Sequence, residues 1–316
     1  MNPFDIVPFA ETVCQRRLGV KNILIRQHGE ETASFFFEAG PRQSNIHSAT
    51  KSVVSLAVGM AVREGCLKLT DKPVQVLSTD LPDDYDPAWD TVTLTDLLTM
   101  SSGHLTKLLS GYSLDPNEVT RDRLDNENWI NFAFSNPLDT LPGTRFVYNN
   151  ACPIIAARMI SKAVGQPLMA WLKPRLFDPL GIRNPQWLTE PDGAVCGAGG
   201  LQLTPRQLSD IAQLCLQNGR WEGRELVPAE YIREATKPHI KTGVGSGENP
   251  GSLTGYGYYF WIFSDGVSYC LNGWGGQYGI VLPKLDATVT IMSHELIRNQ
   301  EILDAVWNDV VPQLQK

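Results

Sequence analysis

The chain has 316 residues, 42% of them hydrophobic and 19% charged, a composition that excludes a disordered, collagen-like or coiled-coil protein. Asp and Glu outnumber Lys and Arg by 34 to 27, for a net charge of −7, and no basic cluster in the sequence reverses that sign locally. Nucleic acid and anionic membrane surfaces are therefore excluded as expected partners.

The sequence predicts a first helix over Ile6 to Arg17, then two β-rich runs, Asn22 to Gln27 and Ala33 to Glu38, joined by a turn at His28-Gly29-Glu30. A helix over Ser48 to Arg63, stopping at Gly65, is apolar on nearly every face and so is expected to be buried all round. Its apolar stretch, Val53 to Val62, falls well short of the roughly 20 residues of a membrane span. From Asp71 to about His239 the pattern is helical with long loops. Within it, Thr204-Pro205-Arg206-Gln207 combines an N-cap, a proline at the first helical position and a capping-box Gln. A glycine-rich stretch, Gly243 to Gly257, precedes four β-rich runs: Gly257 to Phe263, Val267 to Leu271, Tyr278 to Leu282 and Ala287 to Ser293. An amphipathic helix over Glu295 to Gln313 closes the chain. Strands at both ends bracketing a helical middle predict one sheet built from both chain ends, an α+β architecture.

The six cysteines (Cys14, Cys66, Cys152, Cys196, Cys215 and Cys270) are widely spaced and read as reduced thiols. No basic leader precedes an apolar core at the N-terminus, so a cytoplasmic location is expected. The five histidines are scattered, His294-Glu295 lacks the second His of a zinc motif, and no phosphate- or dinucleotide-binding glycine loop is present; neither metal nor cofactor is expected. Serine in the G-x-S-x-G elbow of α/β-hydrolases is also missing.

Three short elements carry possible chemistry. Ser48-Ala49-Thr50-Lys51 puts a hydroxyl and an amine one turn apart at a helix start, where free N–H groups suit an oxyanion. An amine opening so apolar a helix is expected to be partly desolvated, which lowers its pKa toward that of a usable base. Tyr148-Asn149-Asn150 can bring a phenol and an amide into one pocket, and Trp274-Gly275-Gly276-Gln277 lies between two strand-like runs, where glycine permits close backbone approach. Each element alone also fits a structural role: an N-cap Ser with a solvated Lys, a packed Tyr with a turn-forming Asn pair, a bulge or hairpin.

In this order and spacing, the three elements resemble the boxes of the serine β-lactamase and penicillin-binding-protein superfamily, in particular its class-C-like branch of family VIII carboxylesterases and 6-aminohexanoate-dimer hydrolases. Leu94 to Gly103, Pro142 to Phe146 and Gly199 to Pro205 extend the resemblance along almost the whole chain. It implies an α/β sandwich subdomain with an antiparallel sheet (residues 1–46 and 245–316), a mostly helical subdomain (47–244) and an active site between them. It implies Ser48 as nucleophile, Lys51 or Tyr148 as the base of acylation, and Tyr148 serving the leaving group and then water. Asn150 would hold Lys51 and touch substrate, Ser48 and Gln277 would give oxyanion N–H groups, and Trp274, Gly275 and Gly276 would line the pocket. The third box departs from the usual K-T-G or H-T-G, and an indole in place of its cation favours neutral esters or amides over anionic lactams. A literal Lys241-Thr242-Gly243 lies about thirty residues too early and is read as a decoy. The implied activity is hydrolysis of a small ester or amide; the alternatives are a β-lactamase or D-alanyl peptidase, and a catalytically silent binding module. Specificity is expected from the loops Lys107 to Asn136 and Gly243 to Gly257, and the oligomeric state is left open.

Overall fold

A computed structural model describes residues 4–38, 40, 42–111, 120, 124, 128–245 and 247–315. Eight strands form one antiparallel sheet: β1 Val20–Gln27, β2 Glu30–Phe36, β3 Ile240–Lys241, β4 Leu253–Tyr256, β5 Trp261–Phe263, β6 Tyr269–Gly273, β7 Gln277–Leu282 and β8 Ala287–Ser293. Their spatial order is β2-β1-β8-β7-β6-β5-β4-β3, so the first and last strands of the sequence lie side by side in its interior. The pairing of Ile23 with Ile291 and Ile25 with Val289 sets apolar residues of both ends on one face. The alternation of a strand turns the intervening Leu24 to the other.

The first face is covered by α1 (Val7–Arg16) and the C-terminal helix that begins with Asn299–Ala305; Phe9, Val13, Ile302 and Val306 meet Ile23, Ile280 and Val289 there. Thr204 forms the expected capping box with Gln207 and starts a helix over Pro205–Leu216 that lies on the opposite face. The helix comes within contact of β7 at Gly279, where a Cβ would sit 3.4 Å from Ala212.

The larger core surrounds α2 (Thr50–Arg63), all of whose residues from Thr50 to Ala61 are buried. Such a helix must satisfy its polar side chains internally. Ser52 donates to the Tyr259 carbonyl at 2.6 Å, and Ser55 shares a 3.0 Å hydrogen bond with the Tyr231 hydroxyl. Gly59 leaves room for the Tyr231 ring, which would stand 2.5 Å from a Cβ.

Three differences from the sequence reading have local causes. The turn before α2 is a 3₁₀ helix, His47–Ala49, entered through a left-handed His47 (φ 48°), so the α-helix starts at Thr50 rather than Ser48. Ile240–Lys241, just past the span expected to be helical and in no expected strand, pairs with β4 and becomes the sheet's edge. The run Gly257 to Phe263 begins with a turn, closed by Gly257 N–H donating to the Phe260 carbonyl at 2.8 Å, and becomes strand only at Trp261. Residues 112–119, 121–123 and 125–127 of the expected specificity loop lie outside the described residues.

Candidate active site

Ser48 and Lys51 lie three apart across the junction of the 3₁₀ turn with α2 and so share one face. Lys51 Nζ donates to Ser48 Oγ at 2.8 Å. A second bond, 2.7 Å to the Ala198 carbonyl, fixes the amine from the other side. Lys51 is 1% exposed, whereas Ser48 is only half-buried at the open end of the helix. A buried amine thus faces an accessible hydroxyl.

Ala198 reaches Lys51 on a glycine-rich segment that slides past the helix Ala151–Val164: a Cβ on Gly197 would lie 2.0 Å from the Pro153 carbonyl oxygen. Tyr148 precedes that same helix. Val147 N–H donates to the Met100 carbonyl at 2.9 Å and Asn150 N–H to the Leu108 carbonyl at 3.2 Å, which pins the segment on either side of the phenol. The Tyr148 ring lies with its centroid 5.0 Å from Lys51 Nζ and stacks on Trp261 of β5 at 5.7 Å. Burial pushes the neighbouring Tyr256 phenol well above its ordinary value, so that group stays neutral.

The two asparagines divide their work. Asn149 is structural: its Oδ1 accepts from Leu108 N–H at 3.3 Å and Ala151 N–H at 2.9 Å. The Asn150 Oδ1 is buried without a hydrogen-bond partner, so the expected hold on Lys51 is not made through that atom; the Ala198 carbonyl takes that part.

From the sheet, β6 comes down on the nucleophile's turn. Gly273 ends it, and a Cβ there would stand 2.1 Å from the Ile46 carbonyl oxygen, two residues before Ser48. The chain then turns through Trp274, Gly275 and Gly276, the two glycines both at φ 80°, a conformation that side chains other than glycine rarely adopt. Trp274 is 57% exposed and packs edge-on against His47 with centroids 5.4 Å apart. The Gln277 side chain is buried and braces the turn, its Nε2 donating to the carbonyls of Ser293 (2.5 Å) and Gly275 (3.2 Å), so only its backbone is left to meet a substrate. Beside this turn is a cavity of about 170 Å³, lined in part by His47, Trp274 and Gln277. Lys241, by contrast, is exposed on the edge strand β3, three strands from β6.

Sequence reading missed Gly273, His47, Ala198 and Trp261. Only Gly273 carried a signal, as a glycine ending a strand-like run; the others act through a ring position or a main-chain carbonyl. Among the described residues, no group of three or more His, Cys, Asp or Glu is placed to hold a metal ion.

The Beta-lactamase family matches residues 43–309, a span that contains every one of these site residues. The chain belongs to this family. Two relatives are esterases: a lovastatin esterase of Penicillium rubens, 29% identical over 160 residues, and esterase EstB of Burkholderia gladioli, 27% identical over 248 residues. The alignments cover 45% and 73% of this chain but only 39% and 63% of those proteins. Among solved structures, a D-stereospecific amidohydrolase from Streptomyces sp. superposes with a TM-score of 0.71 at 17% identity, covering 98% of this Beta-lactamase-family chain and 99% of its own. That likeness is one of fold.

Proposed function

We propose that the protein is a serine hydrolase that cleaves an ester or amide bond of a small substrate through an acyl-enzyme on Ser48. The 2.8 Å bond between the half-buried Ser48 hydroxyl and the buried Lys51 amine carries this reading, and the esterase relatives support it.

In the proposed mechanism Ser48 Oγ attacks the substrate carbonyl. Its proton passes to Lys51, or to a Tyr148 phenolate that Lys51 stabilises, and the two groups titrate as a unit. Tyr148 then protonates the leaving group and in the second half-reaction draws a proton from water, so the ester of Ser48 is hydrolysed and the hydroxyl restored. The N–H groups of Ser48 and Gln277 receive the oxyanion, each such donor contributing about 2.7–4 kcal/mol to the transition state. The unpartnered Asn150 oxygen is left to accept from a substrate N–H. Trp274 walls the pocket where the superfamily's cation would stand, which favours ester or amide over anionic lactam.

Residues 1–46 with 245–316, and residues 47–244, form the two subdomains of this reading. The site draws Ser48, Lys51 and Tyr148 from the helical part and Trp274 to Gln277 from the sheet. All six cysteines are free thiols, which supports a reducing, cytoplasmic setting. No helix among the described residues is long and apolar enough to cross a membrane.

Hydrolysis of p-nitrophenyl butyrate by the wild type beside Ser48→Ala tests the proposal. Turnover that disappears in the variant is expected. Equal turnover in both would remove Ser48 as nucleophile, and a chromogenic cephalosporin cleaved far faster than the ester would replace the esterase reading with a β-lactamase.

A further inference from the structure

Although the sequence holds no basic cluster, the fold assembles one beside the nucleophile. The cavity next to Trp274 is also lined by Lys21, Asn45, His294 and Leu296. Through Lys21 and Ser44 it adjoins a larger cavity, of about 480 Å³, that reaches Arg42.

Lys21 faces these cavities from a bulge in β1. Val20 pairs with Ser293 and Asn22 with Met292, so Lys21 is an extra residue in the ladder. Such a bulge re-aims a side chain away from regular alternation. The Lys21 carbonyl is fixed by Phe37 N–H at 2.8 Å. Among the described residues, neither Lys21 nor Arg42 enters an ion pair; Glu38, which lines the larger cavity, lies 3.9 Å from His294 Nδ1. In a chain of net charge −7 this is a local reversal of the field. Its rim is apolar, with Trp274 57% and Leu296 54% exposed.

The sheet order fixes which part of a substrate would meet it. Tyr148, which serves the leaving group in the proposed mechanism, stacks on Trp261 of β5, on one side of β6. Lys21 lies on β1, three strands to the other side, roughly 14 Å at ordinary strand spacing. Leaving group and cation are thus on opposite sides of Ser48.

We infer that this cavity is an acyl-side subsite for a carboxylate, held by Lys21 at the far end of an aliphatic acyl chain that runs past Trp274. The substrate class is then the monoester or monoamide of a dicarboxylic acid. The inference rests on the proposed hydrolase reading and restores, from a different strand, a cation that the third box lacks.

The experiment compares mono-p-nitrophenyl adipate with its methyl ester, which has the same chain without the charge. Wild type is expected to favour the free acid in kcat/KM by about tenfold or more, the scale of a hydrogen bond to a charged group. Lys21→Met is expected to erase that preference while leaving the methyl ester's rate unchanged, which also shows that the variant is folded. No preference in wild type, or an equal loss on both esters in the variant, overturns the subsite but leaves the hydrolase standing. If neither ester is turned over, the hydrolase reading is what fails. Calorimetric titration with adipate then decides the subsite: binding to wild type but not to Lys21→Met supports it, and no binding to wild type overturns it.

Discussion

Ser48 Oγ lies 2.8 Å from the Lys51 amine, and Ser102 Oγ lies 3.1 Å from the His104 imidazole, so each of these two serines holds its hydroxyl against a nitrogen base. The second pair is the more familiar chemically, and Cys152 adds a thiol that donates to Ser102 at 3.5 Å. Yet Ser102 is 3% and His104 2% exposed, the His104 ring packs against the fully buried Trp89, and burial pushes the Cys152 thiol up to about 12. No carbonyl can approach it. Ser48 stands at the open end of a helix, beneath a strand end that can contribute N–H groups, with only its base buried. A hydroxyl–base contact therefore becomes a candidate nucleophile only where access and donors for the developing charge coincide.

The largest expected effect is the contrast between the two serines. Ser48→Ala abolishes ester turnover while shifting unfolding free energy by about 1 kcal/mol, because the buried Lys51 amine keeps its bond to the Ala198 carbonyl. Ser102→Ala retains turnover and loses about 1–2 kcal/mol, since the buried His104 and Cys152 lose a partner. Rate assays and denaturant unfolding on both variants check this, and the reverse pattern would exchange the roles of the two clusters. Next come Lys51→Met and Tyr148→Phe, each expected to slow acylation by about 10²–10⁴-fold, as read from the burst phase of p-nitrophenol release. A mild effect from both would remove the proton relay assigned to them.

Smaller again is Gly273→Ala. Its methyl would lie 2.1 Å from the Ile46 carbonyl oxygen, so β6 must retreat from the nucleophile's turn. Overpacking of this kind costs about 1–3 kcal/mol of stability. A misplacement of roughly 1 Å at the chemistry can cost about a hundredfold in rate. Wild-type kcat/KM in this variant would show that the strand end takes no part in catalysis.

Much of this site was legible because its elements are local. The S-x-x-K spacing, the Tyr148 segment and the Trp274 turn each lie within a few residues, and their order along the chain identified the fold that joins them. The antiparallel sheet from both chain ends was legible too, since Ala287 to Ser293 and the first strand have unbroken β-rich patterns. What escaped was made by distance. Ala198 serves through its carbonyl, which has no side-chain signature, from 147 residues away. Trp261 meets Tyr148 only because β5 adjoins β6. The tighter winding at His47–Ala49 gave no sign in the sequence, because the helical pattern expected from Ser48 runs on without a break into the apolar stretch from Val53. Lys21 lies just before the β-rich run expected from Asn22 and carries no signal of its own, since a bulge depends on the register of a strand more than 260 residues away.

The least effect, and the one that separates the two clusters by titration, concerns His104. Burial lowers its pKa from the ordinary 6.5, against a smaller upward pull from the Asn136 backbone and from Asp139 and Asp86. The folded protein therefore holds this imidazole neutral at a pH where the unfolded chain has already taken up a proton. Below about 6.5 the unfolded state binds more protons, so this group makes stability fall as the pH falls, while well above 6.5 it contributes no pH dependence. One such site steepens the curve by at most about 1.4 kcal/mol per pH unit. His104→Asn cannot titrate in this range, so its stability should decline less between neutral and mildly acidic pH than that of the wild type, whatever its absolute stability. The four other histidines are common to both proteins and cancel in the difference. Denaturant midpoints across that interval measure it, and equal slopes would mean that His104 takes up its proton in the fold, which would make the Ser102 cluster a solvated one and undo the distinction drawn from its burial.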